Sequence, residues 1–542
     1  MGSGRVEAAM LAIRRNFLWG LFSFLTAAFL VAAPATAQVT AFMQSVAEAA
    51  ASDRDIAEFY KANGYKAIWT QKGGRDKQRR QAFLKAIAGA NAHGLPSGRY
   101  NPELLKTNLR SVRSERDLGR IEVEMSRLFL LYARDVQTGI LNPRRIDSGL
   151  VREIPLRSRK GILTAFAKSS PKGFIKKLPP KDPEYTRLMK EKLRFEKLIG
   201  KGGWGPKVAA KSLKPGASNN AVLQLRNRMI AMKYMKRSAT KSYDNKITQA
   251  VAKFQRDHGL FADGVAGART MAAINVQPEV RLTQIIVAME RERWLNMPRG
   301  KRHVWVNLTD FHARIVDNGK VTFQTRSVVG KNAHDRRSPE FSDVMEHMVI
   351  NPTWNVPKSI ATKEYLPMLQ QNPNAVRHLN LIDQSGRRVS REGMDFTQFD
   401  ETYFPFDLKQ PPSRGNALGL VKFMFPNRHN IYLHDTPAKK LFGRERRDFS
   451  HGCIRLNDPF DFAYAILARQ TRNPEQFFKE RLQTGRETVV ELEQHIPVHI
   501  VYRTAFTQAK GKVQFRGDVY GRDAKIWKAL KNAGVALRSV RG

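Results

Sequence analysis

Apolar positions recur along this chain with two periods. Up to about residue 300 they follow the three-to-four spacing of helices, and beyond Val304 they alternate. Leu128, Leu131, Tyr132 and Asp135 share one helical stripe, which predicts a helix over 121–137. Helices are also predicted over 56–63, stopped by Gly64, over 80–90, and over 184–198 after the breaker Pro179-Pro180-Lys181-Asp182-Pro183. Aromatic residues at this spacing read as core. Gly202-Gly203-Trp204-Gly205-Pro206 and Pro215-Gly216-Ala217-Ser218 read as a linker. Three short helices are then predicted over 221–233, 247–258 and 269–274; the first carries Val222, Leu225, Met229 and Met232 on one stripe, and a turn over 259–264 separates the last two.

The alternating part predicts strands over 304–308, 312–316 and 322–330, with Asn318-Gly319 supplying the positive φ angles of a type I′ hairpin turn. After 349–357 comes a helical insertion over about 359–371, then polar, irregular sequence to Gly415. Strands are predicted again over 420–425 and 430–434, a helix over 460–469 with Asn457-Asp458-Pro459 as its start, and closing strands over 498–502 and 513–515.

At 542 residues the chain is long enough for three or four domains at ~150 residues each. A formal net charge of +44 raises nucleic acid or another anionic surface as partner. The basic residues are scattered, and there is no zinc-ligand cluster, RNA-binding aromatic motif or helix-turn-helix signature, so nucleic acid is set aside in favour of an anionic polymer such as a cell wall or lipid surface. Arg5, Arg14 and Arg15 precede an apolar run over 17–33, and Ala35-Thr36-Ala37 matches a small-residue cleavage site. Residues 1–37 are therefore expected to be a signal peptide, with an uncleaved membrane anchor as the alternative. The chain would be exported either way. With one cysteine it forms no intrachain disulfide, and an odd thiol in an exported protein points to reactivity. His495 and His499 lie four apart, but Pro497 interrupts them and no acid follows as in H-E-x-x-H. They are expected to be structural, and no metal or cofactor is predicted.

The candidate chemistry lies in Asn430-Ile431-Tyr432-Leu433-His434-Asp435 and Phe449-Ser450-His451-Gly452-Cys453-Ile454-Arg455-Leu456. A thiolate is the nucleophilic form of cysteine, so a working Cys453 needs a base or a positive field; His434 and His451 are the candidates. Tyr432 and His434 fall on one face of a strand, and Gly452 permits the backbone to turn sharply beside the sulfur. Arg455 either raises the local positive field, anchors a carboxylate, or forms a structural ion pair. Tyr432 and Trp354 are expected as site walls or as packing.

These two segments resemble the signature of the L,D-transpeptidase family (YkuD-type catalytic domain), in its large periplasmic, YcbB-like branch. The segment 250–274, with Ala-Val-x-x-Phe-Gln, Gly-Leu, Asp-Gly and Gly-x-x-Thr, resembles a peptidoglycan-binding module, though the stretch 236–243 is more basic than usual and lacks the usual Gly-rich turn. The resemblance implies a multidomain α+β protein: a helical scaffold domain over 40–205, the three-helix module over 218–277, a mostly β catalytic domain over 300–510 with a cap inserted over about 358–415, and a C-terminal extension over 511–542. It implies a periplasmic location in a Gram-negative-type bacterium, peptidoglycan stem peptides as donor and acceptor, and no cofactor. It assigns Cys453 as nucleophile and His434 as base, with Asp435 or a backbone carbonyl orienting the ring. Amides of His451, Gly452 and Cys453 would hold the oxyanion. The donor bond expected from the family joins the L-centre of a diamino acid to a terminal D-Ala. An L,D-carboxypeptidase, a hydrolase of wall–protein links, and attachment of an outer-membrane protein to the wall are the alternatives using the same residues.

Overall fold

The computed structural model describes residues 39–538 and 540, so the leader expected over 1–37 lies outside the described residues. The first helical core surrounds Trp69, which packs against Phe83, Phe129 and Phe166. Its long helix, Glu115–Thr138, is opened by a capping box between Ser114 and Asp117. Inside the core the carboxylate of Glu122 accepts the N–H groups of Ile68 (2.6 Å) and Thr70 (2.9 Å), so this buried acid is fully employed.

A second core joins parts far apart in sequence. The helices Pro183–Gly200, Pro278–Trp294 and Arg522–Asn532 share it with Leu150, Ala505 and Phe515. The helix Pro278–Trp294 is absent from the sequence reading because it is buried nearly all round and shows no single apolar stripe. Its run Glu290-Arg291-Glu292-Arg293 looks like a solvated face, yet all four are buried in ion pairs, Arg291 with both Glu340 and Asp523. The residues expected as a C-terminal extension are thus part of a central hub, with Arg522 also facing Asp147 and Glu340.

The three-helix module forms as Asn220–Ala231, Asn245–His258 and Ala268–Ile274 around Leu225, Val251 and Phe254. Beyond it lies a nine-stranded sheet. Reading across, its strands are Asp448–Ser450, Lys320–Gly330, Ile454–Leu456, Leu433–His434, Val421–Met424, Phe341–Ile350, Thr488–Val501, Arg302–Asn307 and His312–Asp317. The last strand also pairs with Lys320–Gly330, so the ladder closes on itself. Asn318 and Gly319 take φ values of +51° and +79° at the hairpin, as the sequence predicts.

The segment expected to be irregular up to Gly415 is a structured cap. Trp354–Asn355, Asp407–Gln410, Asn380–Ile382 and Arg388–Val389 make a four-stranded antiparallel sheet beside short helices over 358–371. It has its own aromatic core of Trp354, Phe396, Phe399 and Phe404. Strands of two to four residues are too short for alternation to show in the sequence.

Candidate active site

Two short parallel strands bring the distant segments together. Leu433 pairs with Ile454 and His434 with Arg455, and Ile454 N–H donates to the Tyr432 carbonyl at 3.0 Å. Continuing this register sets Cys453 beside Tyr432. Because side chains alternate along a strand, Tyr432, His434, Cys453 and Arg455 all project from one face. Strand spacing of ~4.8 Å and a rise of ~3.3 Å per residue separate His434 and Cys453 by about 8 Å at Cα. The sulfur itself donates to the Asn430 carbonyl at 3.4 Å. Asn430 has φ +52°, and its loop is pinned by Asn427, whose side chain accepts from His429 and Ile431 N–H and donates to the Phe425 and Ile431 carbonyls.

Gly452 makes the turn before the nucleophile. Its φ of +123° is open to glycine, and an added Cβ would stand 3.2 Å from Ile431 Cδ1. Ser450 Oγ donates to the Cys453 carbonyl (2.6 Å) and accepts Gly452 N–H (3.2 Å). The Gly452 amide is therefore already used, which corrects its expected share in an oxyanion hole. Ser338 Oγ donates to the Gly452 carbonyl (2.6 Å) and accepts Gly330 N–H (2.9 Å). Tyr520, from the segment expected as an extension, donates to the Gly330 carbonyl at 2.6 Å.

Both reactive groups are neutral at rest. Burial pushes the Cys453 thiol up to about 11, with smaller opposing effects from Tyr432 and Arg455. Burial lowers the His434 imidazole to about 3, aided by Arg455, while the main-chain carbonyls of Asp435 and Leu418 act the other way. His434 Nδ1 is buried without a hydrogen-bond partner. The carboxylate of Asp435 accepts from Lys439 Nζ (2.7 Å) and Leu420 N–H (3.0 Å), so this side chain is engaged elsewhere than on the imidazole. Arg455 is half-buried, and no carboxylate pairs with it among the described residues.

The remaining sequence candidates fall as follows. Tyr432 packs against both the sheet core and the cap core, with its ring 5.6 Å from that of His434. Trp354 is buried in the cap, edge-on to Tyr365. His451 Nε2–H donates to Glu364 Oε1 of the cap at 2.7 Å. His499 is bound through Nδ1 to Ser342 Oγ and through Nε2 to the Arg299 carbonyl, a structural role.

Residues 301–489 match the family model described as L,D-transpeptidase catalytic domain, and the paired strands just described lie within it. Over these residues the chain is similar to the L,D-transpeptidase catalytic-domain family. Residues 54–191 match a model described as scaffold domain, and 218–274 one described as "Putative peptidoglycan binding domain". A curated relative from Haemophilus influenzae, "Putative L,D-transpeptidase", is 29% identical over 255 residues, which is 47% of this chain and 51% of the relative. The chain thus spans about half the length of that relative. Solved L,D-transpeptidase structures from Xylanimonas cellulosilytica (14% identical, 55% of this chain and 100% of that one, TM-score 0.16) and Stackebrandtia nassauensis (15%, 55% and 96%, TM-score 0.20) are also similar.

Within residues 301–489, sequence reasoning missed Ser338, Asn427, Glu364 and, beyond them, Tyr520. None sits in a local motif. For Ser338 and Tyr520 the one available signal was the pair of glycines they bind, Gly330 and Gly452.

Proposed function

We propose that this protein is an exported, periplasmic L,D-transpeptidase that cross-links peptidoglycan through a thioester on Cys453. The reading is carried by the register that sets Cys453, His434, Tyr432 and Arg455 on one face of two paired strands. His434 takes the thiol proton as sulfur bonds to the donor carbonyl. The tetrahedral oxyanion is held by the Cys453 N–H, which has no protein acceptor among the described residues. Collapse breaks the C–N bond, and the imidazolium returns its proton to the departing amine of the D-amino acid. An amine of a neighbouring stem then attacks the thioester, loses a proton to His434, and releases the sulfur, which is reprotonated.

Burial of both groups in neutral form favours proton transfer in step with attack over a standing thiolate–imidazolium pair. Arg455, without an acidic partner, is positioned to receive a donor carboxylate. The cap shields the thioester from water, which favours an amine over hydrolysis. Incubation with a carbapenem tests the covalent step: a stable mass adduct mapping to Cys453, absent in Cys453→Ala, is expected. Folded protein that takes no adduct overturns the thioester. Digestion of treated wall then separates new cross-links from trimmed stems, and trimming alone assigns the hydrolytic alternative.

A further inference from the structure

The three-helix module and the catalytic domain meet along a second cleft of about 640 Å³, away from the strands that carry Cys453. One wall is formed by Arg256, Phe261 and Arg269 of the module, the other by the turn at Asp310 and the loop over 445–447, with Phe515 and Arg516 below. Seven arginines line it against three carboxylates, Asp310, Glu445 and Asp518. Several of the arginines have no carboxylate partner among the described residues. Buried Arg447 donates only to the carbonyls of Ser327, Arg444 and Phe311. Buried Arg281 reaches Gln284 and the Ala273 carbonyl and lies 4.7 Å from the Phe515 ring centre. Burial lowers both guanidinium groups to about 10, the mark of cations held without a counter-ion. Exposed Arg256 and Arg326 stand at the rim, and Phe261 offers a half-exposed ring beside them.

The cleft is also wired to the reactive loop. Glu445 accepts Phe261 N–H on Oε1 and pairs with Arg269 through Oε2, each at 2.6 Å. It thereby ties the module to the loop that continues through Asp448–Ser450 to Cys453. A cationic, part-apolar cleft shared by a peptidoglycan-binding-like module and a transpeptidase domain suits an acidic peptide attached to sugar.

We propose that this cleft binds a carboxylate-bearing stem peptide of a wall strand, holding that strand across the module and the catalytic domain while Cys453 works on another stem. The inference rests on the wall-polymer reading above. Attraction comes from unpaired guanidinium groups, with Phe261 packing on the peptide or sugar.

Equilibrium binding to the full chain carrying Cys453→Ala tests it, with three probes: a disaccharide tetrapeptide, the same compound with its carboxylates amidated, and a single-stranded oligonucleotide. R256E/R326E is expected to weaken tetrapeptide binding about tenfold, since each reversal replaces attraction by repulsion. K61E/K77E, an equal charge change on the exposed surface of the first helical block, should change it less than about twofold by the same reasoning. Amidation should weaken binding about as much as the cleft reversal. Equal affinities for the two double variants, undiminished binding of the amidated compound, or tighter cleft-dependent binding of the oligonucleotide would each overturn the assignment. Carbapenem acylation of the Cys453-containing chain is read separately: acylation with a cleft-independent tetrapeptide affinity removes the cleft and leaves the reaction standing.

Discussion

Glu364 of the cap and His451 of the nucleophile loop are joined at 2.7 Å, two residues before Cys453. The same carboxylate oxygen receives Arg336 Nη2 at 2.6 Å. Arg336 and Ser338 belong to the loop packed on Gly330, and Ser338 holds the Gly452 carbonyl. One acid therefore fastens the cap both to the reactive turn and to the loop beneath it. Glu364 itself lies in a single π-helical turn, Ala361–Tyr365, an arrangement often found where a side chain must be aimed.

Removing that acid is expected to loosen the cap without unfolding the sheet. Glu364→Ala should raise hydrogen exchange across 354–410 and lower kcat/KM by roughly tenfold, because an unfastened cap admits water and misplaces the donor. Glu364→Gln, which keeps the size and loses the charge, should fall between. Unchanged exchange in the cap of Glu364→Ala would show that the contact does not hold it.

The turn itself makes a sharper demand. Gly452→Ala places a methyl group against Ile431 at a φ of +123°, where side chains are strained by about 1–3 kcal/mol. The backbone would shift and take Cys453 with it. A loss of at least about 100-fold in acylation rate is expected, as a displacement near 1 Å costs that much. Ser338→Ala should be milder in stability, about 1 kcal/mol for its lost hydrogen bonds, yet should also slow acylation. Stopped-flow acylation by a carbapenem, alongside thermal melting, separates the two effects. A Gly452→Ala protein that melts and acylates normally would refute the geometric account.

Much of this site was legible beforehand because its signals are local. A lone cysteine after His451-Gly452 and an upstream histidine closing a strand mark the chemistry, and residue alternation places Tyr432 with His434 before any fold is known. What stayed hidden depends on contacts between distant segments. Glu364 sits 87 positions before His451, and Tyr520 reaches Gly330 across 190. The helix Pro278–Trp294 was invisible for another reason: its charges are buried and paired, so its sequence imitates a solvated surface. The cap strands are shorter than the window over which alternation is read.

Buried histidines set an acid limit on stability. His434 and His499 are lowered to about 3 and His258 lies well below its ordinary 6.5, in each case chiefly by burial. Between about pH 3 and 6.5 the unfolded chain binds protons at His434 and His499 and the folded chain does not, so stability rises with pH in that window and is lost as pH falls. Each of these two contributes a slope of about 1.4 kcal/mol per pH unit there. The melting temperature should fall steadily from pH 6.5 to 4, and His258→Gln should make the decline shallower. A melting temperature that holds constant over that range would mean these rings are not held neutral.

The protonation of Cys453 gives the most direct test of the chemistry. With the thiol raised to about 11 and the imidazole lowered to about 3, neither group changes charge between roughly pH 4 and 10 in the free protein. Alkylation by iodoacetamide requires thiolate and does not exploit a general base, so its rate should climb about tenfold per pH unit through neutrality with no plateau below pH 10. Acylation by a carbapenem draws on His434 and should be nearly flat over the same range, because a base that stays neutral is always ready to take the proton. In His434→Ala the acylation rate should drop by roughly 10²–10⁴ and acquire the steep pH dependence of simple alkylation. The contrast between the two reagents is the decisive readout. A plateau in alkylation near pH 7 would reveal a preformed thiolate, and the neutral pair would then give way to an ion pair between Cys453 and His434.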